Sequence, residues 1–207
     1  MKSVKVKAVL EGALASFNIE MIYFNPDEDN AIECNFEMPQ DPDTFIQKLD
    51  IEIDDKVINT ILLEKAKAKE RYEDAIAGGK LGLIAEKVTV GDEYLNMRIG
   101  NLQPKKEIKI VMQLVQPLKV IGSAYQFLLP TSFYPDYSKF SKEIDVSYPY
   151  KFSYSVLIKS TSTITLISKP ENSECKREKS GKFATIFCTE PSRELRVYYR
   201  TNNMMTP

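Results

Sequence analysis

The chain has 207 residues, 43% hydrophobic and 28% charged, with 28 basic against 29 acidic side chains and a net charge of -1. A chain of that size buries roughly 70% of its unfolded surface without disulfide or metal staples, and its balanced charge offers no basic stripe of the kind nucleic-acid binding needs. Histidine is absent, which removes Ser-His-Asp and Cys-His nucleophile systems and most zinc sites, and no apolar run approaches the ~18 residues that span a bilayer.

From the N-terminus, residues 1–7 alternate charged and apolar side chains and read as a strand, not as a signal peptide. Period-two alternation then recurs along the chain, the mark of half-buried strands. In 13–24, Ala15, Phe17, Ile19, Met21 and Tyr23 share one face; in 107–115, Ile108, Ile110, Met112 and Leu114 do; in 151–159, Phe152, Tyr154, Val156 and Ile158; in 194–200, Leu195, Val197 and Tyr199. Further strands are predicted over 3–10, 31–38, 45–53, 56–62, 81–90, 93–99, 124–129, 163–168, 173–179 and 183–189. Turn signals such as Asn25-Pro26-Asp27, Asp54-Asp55, Gly91-Asp92 and Ser180-Gly181 separate them. Many short strands at this spacing predict a mainly β fold, an antiparallel β-sandwich.

One segment departs from the alternation. Over about 63–77 the chain is rich in Ala, Lys and Glu, all good helix formers. Leu62, Ala66, the stem of Lys69, Tyr72 and Ile76 fall on one stripe at helical spacing, and Gly78-Gly79 stands where a C-cap belongs. Lys65, Lys67, Lys69 and Arg71 lie early and Glu73 and Asp74 late, opposite to what the helix dipole favours. So short a helix is marginal alone, so it is predicted to pack on a sheet through Tyr72 and Ile76. Between 130 and 150 lies a seam with Pro130, Pro135 and Pro149 and the aromatics Phe133, Tyr134, Tyr137, Phe140, Tyr148 and Tyr150. These rings are either buried packing or an exposed anchor for a partner.

Several segments invite a chemical reading that a conformational one answers better. Asn25-Pro26-Asp27-Glu28-Asp29-Asn30 has the oxygens calcium takes, but lacks the glycine and distal glutamate of an EF-hand loop and reads as a solvated turn. Gly78-Gly79-Lys80-x-Gly82 follows a helix, whereas a phosphate loop leads into one. Gly100 and Asn101 tolerate positive φ, and Pro104 fixes a turn's exit. No cofactor or metal motif is found. The three cysteines, Cys34, Cys175 and Cys188, are too few for a disulfide framework and no glycosylation sequon is present. Both fit a reducing, cytoplasmic setting, in which Cys175 and Cys188 read as two reduced thiols; the alternative, from their places on either side of the turn at Ser180-Gly181-Lys182, is that they face each other across a hairpin.

Glu64-Lys65, Ala68, Tyr72, Ala75 and Gly79, then Leu83-Ile84, then Gly100-Asn101-Leu102-x-Pro104, form an ordered series. Upstream stand Val4, Val6, Leu10, Gly12, Tyr23-x-Asn25, Ile32-Glu33 and Phe36-x-x-Pro39; downstream stands Leu128-Leu129-Pro130-Thr131. In this order and spacing the chain resembles the VIT domain, the module named for vault proteins and inter-alpha-trypsin inhibitor heavy chains. The resemblance covers about residues 3–135 and departs from the family at Asp54-Asp55-Lys56, where a Gly-Arg turn is usual. It implies a VIT domain over 1–135 and, over 136–207, a β-rich extension leading toward a von Willebrand A domain. The Asp-x-Ser-x-Ser opening of such a domain does not occur here, and the chain is expected to stop short of it. The implied function is non-enzymatic: a structural or protein-interaction module that scaffolds, or packs against, a partner protein or an adjacent A domain. Lys65, Lys67, Lys69 and Arg71 on the helix, and Phe133, Tyr134 and Tyr137, are the candidate contacts. The alternatives are a secreted adhesion or matrix module, which a Cys175–Cys188 disulfide would favour, and a hydrolase or transferase using carboxylates such as Glu33, Asp92 or Glu93.

Overall fold

The computed structural model describes residues 1–39, 43–53, 56–59, 65–88, 94–129, 150–189 and 195–204. It is mainly β. An eight-stranded sheet runs in the order β13 (Glu174–Arg177), β14 (Phe183–Cys188), β11 (Lys151–Lys159), β1 (Ser3–Glu11), β2 (Leu14–Phe24), β8 (Glu107–Pro117), β4 (Phe45–Ile53), β5 (Lys56–Asn59). A four-stranded sheet runs β12 (Ile164–Ser168), β15 (Leu195–Thr201), β10 (Ala124–Leu129), β9 (Lys119–Ile121), and a three-stranded sheet β3 (Ile32–Pro39), β7 (Tyr94–Leu102), β6 (Gly82–Val88). Helix α1 spans Lys65–Ala77.

The large sheet has one buried face, and the period-two pattern sets which. Val4, Val6, Ala8 and Leu10 of β1 are all buried and stand opposite Met21, Ile19, Phe17 and Ala15 of β2. Ile108, Ile110, Met112 and Leu114 continue the layer on β8, and Phe152, Tyr154, Val156 and Ile158 on β11. Each Val, Leu, Ile, Phe or Met among them contributes about 1.5–3 kcal/mol by leaving water. The smaller sheets close over this face. Phe17 meets Phe127 of β10 edge-on, with ring centroids 5.5 Å apart, and Met97, Ile99 and Leu102 of β7 join the same core.

Connectivity is what alternation cannot reveal. β1 pairs with β2 on one side and, in parallel, with β11 on the other, from Ser3↔Lys151 to Glu11↔Lys159. The strands after 150 therefore share sheets with those before 130, and β10 pairs with β15 in the same way across the small sheet. The seam and its aromatics Phe133, Tyr134, Tyr137, Phe140 and Tyr148 lie outside the described residues; Tyr150, at its end, is buried.

Three sequence expectations need correction. The strand expected to end at 99 runs on through Gly100, Asn101 and Leu102. The cysteines do not face each other: Cys175 stands opposite Ile186, the Cys188 thiol donates to the Asn172 carbonyl at 3.2 Å, and all three thiols are free. Lys69 does not lay its stem on the buried stripe; its side chain is 61% exposed and it pairs with Glu73 at 3.7 Å. β9 was not foreseen, because three residues exposed on both faces carry no alternation.

Tyr154 supplies a pH prediction. Its hydroxyl is sealed in the core near Ser173 and Cys188 without a hydrogen bond of good geometry, and burial pushes the phenol up from about 10 to about 12. Below pH 10 it is neutral in both states and its contribution is whole; as pH rises toward about 12 the unfolded chain ionises first and stability falls. Tyr154→Phe is expected to flatten that decline, read by urea unfolding at successive pH values, and to leave stability at pH 7 within about 1 kcal/mol. Tyr199, raised by burial and then by Tyr125, and Tyr72, raised by burial and then by Glu33, contribute to the slope that remains.

Candidate functional site

Four of the residues in the sequence signature, Tyr72, Gly79, Gly100 and Asn101, meet at one place, the joint between α1 and the three-stranded sheet. Gly82 of β6 and Gly100 of β7 are cross-strand partners. Together they open a bare patch into which α1 sinks. A Cβ on Gly100 would lie 2.3 Å from Ile76 Cδ1 and 2.8 Å from the Tyr72 hydroxyl; one on Gly82 would lie 2.8 Å from Ile76 Cδ1. A side chain at 100 would thus force Ile76 and Tyr72 to move. Gly100 is not among the residues with positive φ, which corrects the conformational reason given for it above; Asn101, at φ 58°, does adopt the left-handed conformation.

The helix is also held by polar bonds. Gly79 has φ 67°, its N–H donates to the Ile76 carbonyl at 3.0 Å, and Lys80 N–H donates to the Ala75 carbonyl at 2.8 Å. This is the paired C-terminal closure that only a left-handed residue allows at low cost. Asn101 Nδ2 adds bonds to the carbonyls of Ile76 and Lys80, both 3.1 Å. Tyr72 is buried, and its hydroxyl donates to Glu33 Oε1 at 3.0 Å. Burial and then that carboxylate push the phenol up. The Arg98 guanidinium lies 5.4 Å from the Tyr72 ring centroid. Replacing Asn101 by alanine removes two carbonyl partners and leaves a non-glycine residue at positive φ, so a loss of about 1–3 kcal/mol is expected in urea unfolding.

A second bracket holds the far end of β7. Asn25 is fully buried. Its Nδ2 donates to the carbonyls of Asn30 and Leu102, both 2.9 Å, and its Oδ1 accepts from Asp27 N–H at 3.0 Å. Asp27 Oδ1 accepts from the N–H groups of Asp29 and Asn30, and these bonds hold its carboxyl below the usual range. Its Oδ1 serves the turn itself, and among the described residues no group of His, Cys, Asp or Glu is arranged to hold a metal ion.

The other predicted site residues distribute as follows. Ala68 is half-buried on α1, Pro104 sits in the turn after β7, and Lys67, Lys69 and Arg71 are exposed on the helix. Lys67 and Lys69 are both engaged in interactions. Glu64, the side chain of Lys65, and Phe133, Tyr134 and Tyr137 lie outside the described residues, as do Asp92 and Glu93. Sequence reasoning gave no joint role to Gly82, Glu33 or Arg98. An isolated glycine inside a strand pattern signals close backbone approach, and two of them here mark the helix seat.

In this β-sandwich the signature residues Tyr72, Gly79, Gly100 and Asn101 hold the helix on its sheet. The family model of the vault protein inter-alpha-trypsin domain, VIT, matches residues 1–114, and the chain belongs to this family. Among curated proteins it is similar to von Willebrand factor A domain-containing protein 5A of Rattus norvegicus, 30% identical over 139 residues, covering 66% of this chain and 17% of that protein. A von Willebrand factor A domain-containing protein of Dictyostelium discoideum is 29% identical over 137 residues, covering 66% of this chain and 14% of that protein. The chain thus corresponds to less than a fifth of either relative. Among solved structures, a Legionella pneumophila protein assigned provisionally to nutrient binding superposes with a TM-score of 0.57 at 7% identity, covering 97% of this chain and 66% of that one; this likeness concerns the fold alone.

Proposed function

We propose that this chain is a non-enzymatic protein-interaction module that packs against a partner protein or an adjacent von Willebrand A domain. The observation that carries the reading is the fate of the family signature. Tyr72, Gly79, Gly100 and Asn101 are all consumed in seating α1, so the signature preserves a shape whose outer surface is left for contact. The relatives, named for their A domains, support such a domain as the partner. The free thiols at Cys34, Cys175 and Cys188 support a reducing, cytoplasmic setting over the secreted alternative.

The test is capture from a cell lysate with the purified chain as bait, identified by mass spectrometry, beside a Lys65→Glu/Lys67→Glu/Lys69→Glu variant. Retention of a protein by the wild type supports the reading, and its loss from the variant would place the contact on α1. A turnover of substrate by the purified chain would overturn it.

A further inference from the structure

A concave site lies away from the joint. A cleft of about 640 Å³ opens at the end of the sandwich where the β1–β2 turn, the β11–β12 loop and the segment after β15 meet. That volume is within the range of sites that enclose a ligand segment. Tyr199 forms its buried base and donates to the Gly12 carbonyl at 2.7 Å, fixing the turn as one wall. Tyr125 lies beside it, ring centroids 5.2 Å apart, and Tyr125 and Phe183 are the half-exposed rings of the cleft. The rim is short and polar. Ser160 Oγ accepts from Ser162 N–H at 3.1 Å and shapes the loop, while the side chains of Thr161, Ser162 and Asn203 make no hydrogen bond among the described residues. Glu11 and Lys159 face each other across β1 and β11 at 3.9 Å, so the cleft carries no net charge.

Rigid aromatic rings beneath short hydroxyl and amide side chains, on loops at one end of a β-sandwich, are the composition of protein-recognising loops. The rings give area at low entropic cost, and the unbonded Ser, Thr and Asn groups match the alternating donors and acceptors of a peptide backbone. Charge neutrality argues against phosphates and polyanions. Helix α1 offers less: its exposed Lys67, Lys69 and Arg71 are balanced by the exposed Glu70, Glu73 and Asp74. We infer that this cleft is the contact site of the interaction module, and that it takes an extended, uncharged loop of a partner protein with an apolar side chain set against the rings. The inference rests on the interaction reading above.

The experiment selects looped random peptides from a display library on the purified full chain. Their positions are mapped by amide chemical shifts and their affinities measured by calorimetry against Thr161→Arg and Asn203→Arg. Both substitutions are at exposed rim positions, and circular dichroism checks their folding. The expected result is uncharged peptides that shift Gly12, Thr161, Ser162 and Asn203 and lose at least tenfold in affinity to either variant. Peptides that map to α1 or the outer sheet face, or bind both variants unchanged, would overturn this placement and leave the interaction reading standing. A library that yields no binder would overturn both, and selective binding of neutral oligosaccharides in place of peptides would overturn the peptide assignment.

Discussion

Replacing Gly100 by valine is expected to cost about 2–4 kcal/mol in urea unfolding, at the upper end of overpacking penalties. The substitution asks a branched side chain to occupy space held by Ile76 Cδ1, 2.3 Å from the ideal Cβ, and by the Tyr72 hydroxyl, 2.8 Å away. Ile76 has some freedom to rotate, but Tyr72 is fixed by its bond to Glu33, so the helix must lift. Lifting exposes Tyr72 and Ile84, which the helix and sheet bury between them. Hydrogen exchange of the α1 amides is expected to accelerate before that of β1 and β2. The clash is specific enough to be cycled: Gly100→Ala in an Ile76→Ala background is expected to cost less than in the wild type, with a coupling of about 0.5–3 kcal/mol. Equal cost in both backgrounds would mean that α1 is not seated on Gly100.

Val156→Asp is expected to be worse, removing at least about 3 kcal/mol, because it places a carboxylate without a partner in the core. Val156 is fully buried on β11, between Ala8 of β1 and Ile186 of β14. The informative result is the shape of the transition. β1 is an interior strand, with β2 on one side and β11 on the other, although β11 begins at Lys151 and the family match ends at 114. Removing β11 would open nine residues of β1 as an edge, a recognised route to aggregation. The whole chain is therefore expected to unfold in one transition shifted to lower denaturant. An unshifted transition accompanied by loss of a second, weaker one would show that residues 1–129 are stable without the later strands.

Elements were legible in this sequence where a single physical rule governed them. Strand β4 was expected over 45–53 and is Phe45–Ile53; β11 was expected over 151–159 and is Lys151–Lys159. One buried face against one wet face imposes the alternation directly. The stop of α1 was legible from Gly79, because a left-handed C-cap has few alternatives to glycine, and its packing through Tyr72 and Ile76 follows from their spacing. Partnership was not legible. Alternation in β1 and β11 states that each has an inner face, and says nothing of their lying side by side in parallel. The cleft was equally hidden, since Gly12, Ser162 and Asn203 lie far apart in sequence and each reads as an ordinary turn residue. Gly100 shows a subtler failure: the residue was identified and its reason was wrong, because crowding by a helix that contacts it only in the folded chain leaves no local trace.

The most direct test of the interaction account is calorimetric titration of this chain with an isolated von Willebrand A domain from protein 5A of Rattus norvegicus. The account predicts saturable one-to-one binding, weakened by Thr161→Arg and Asn203→Arg. No heat and no complex, from a chain shown by its unfolding transition to be folded, would contradict the A domain as the partner.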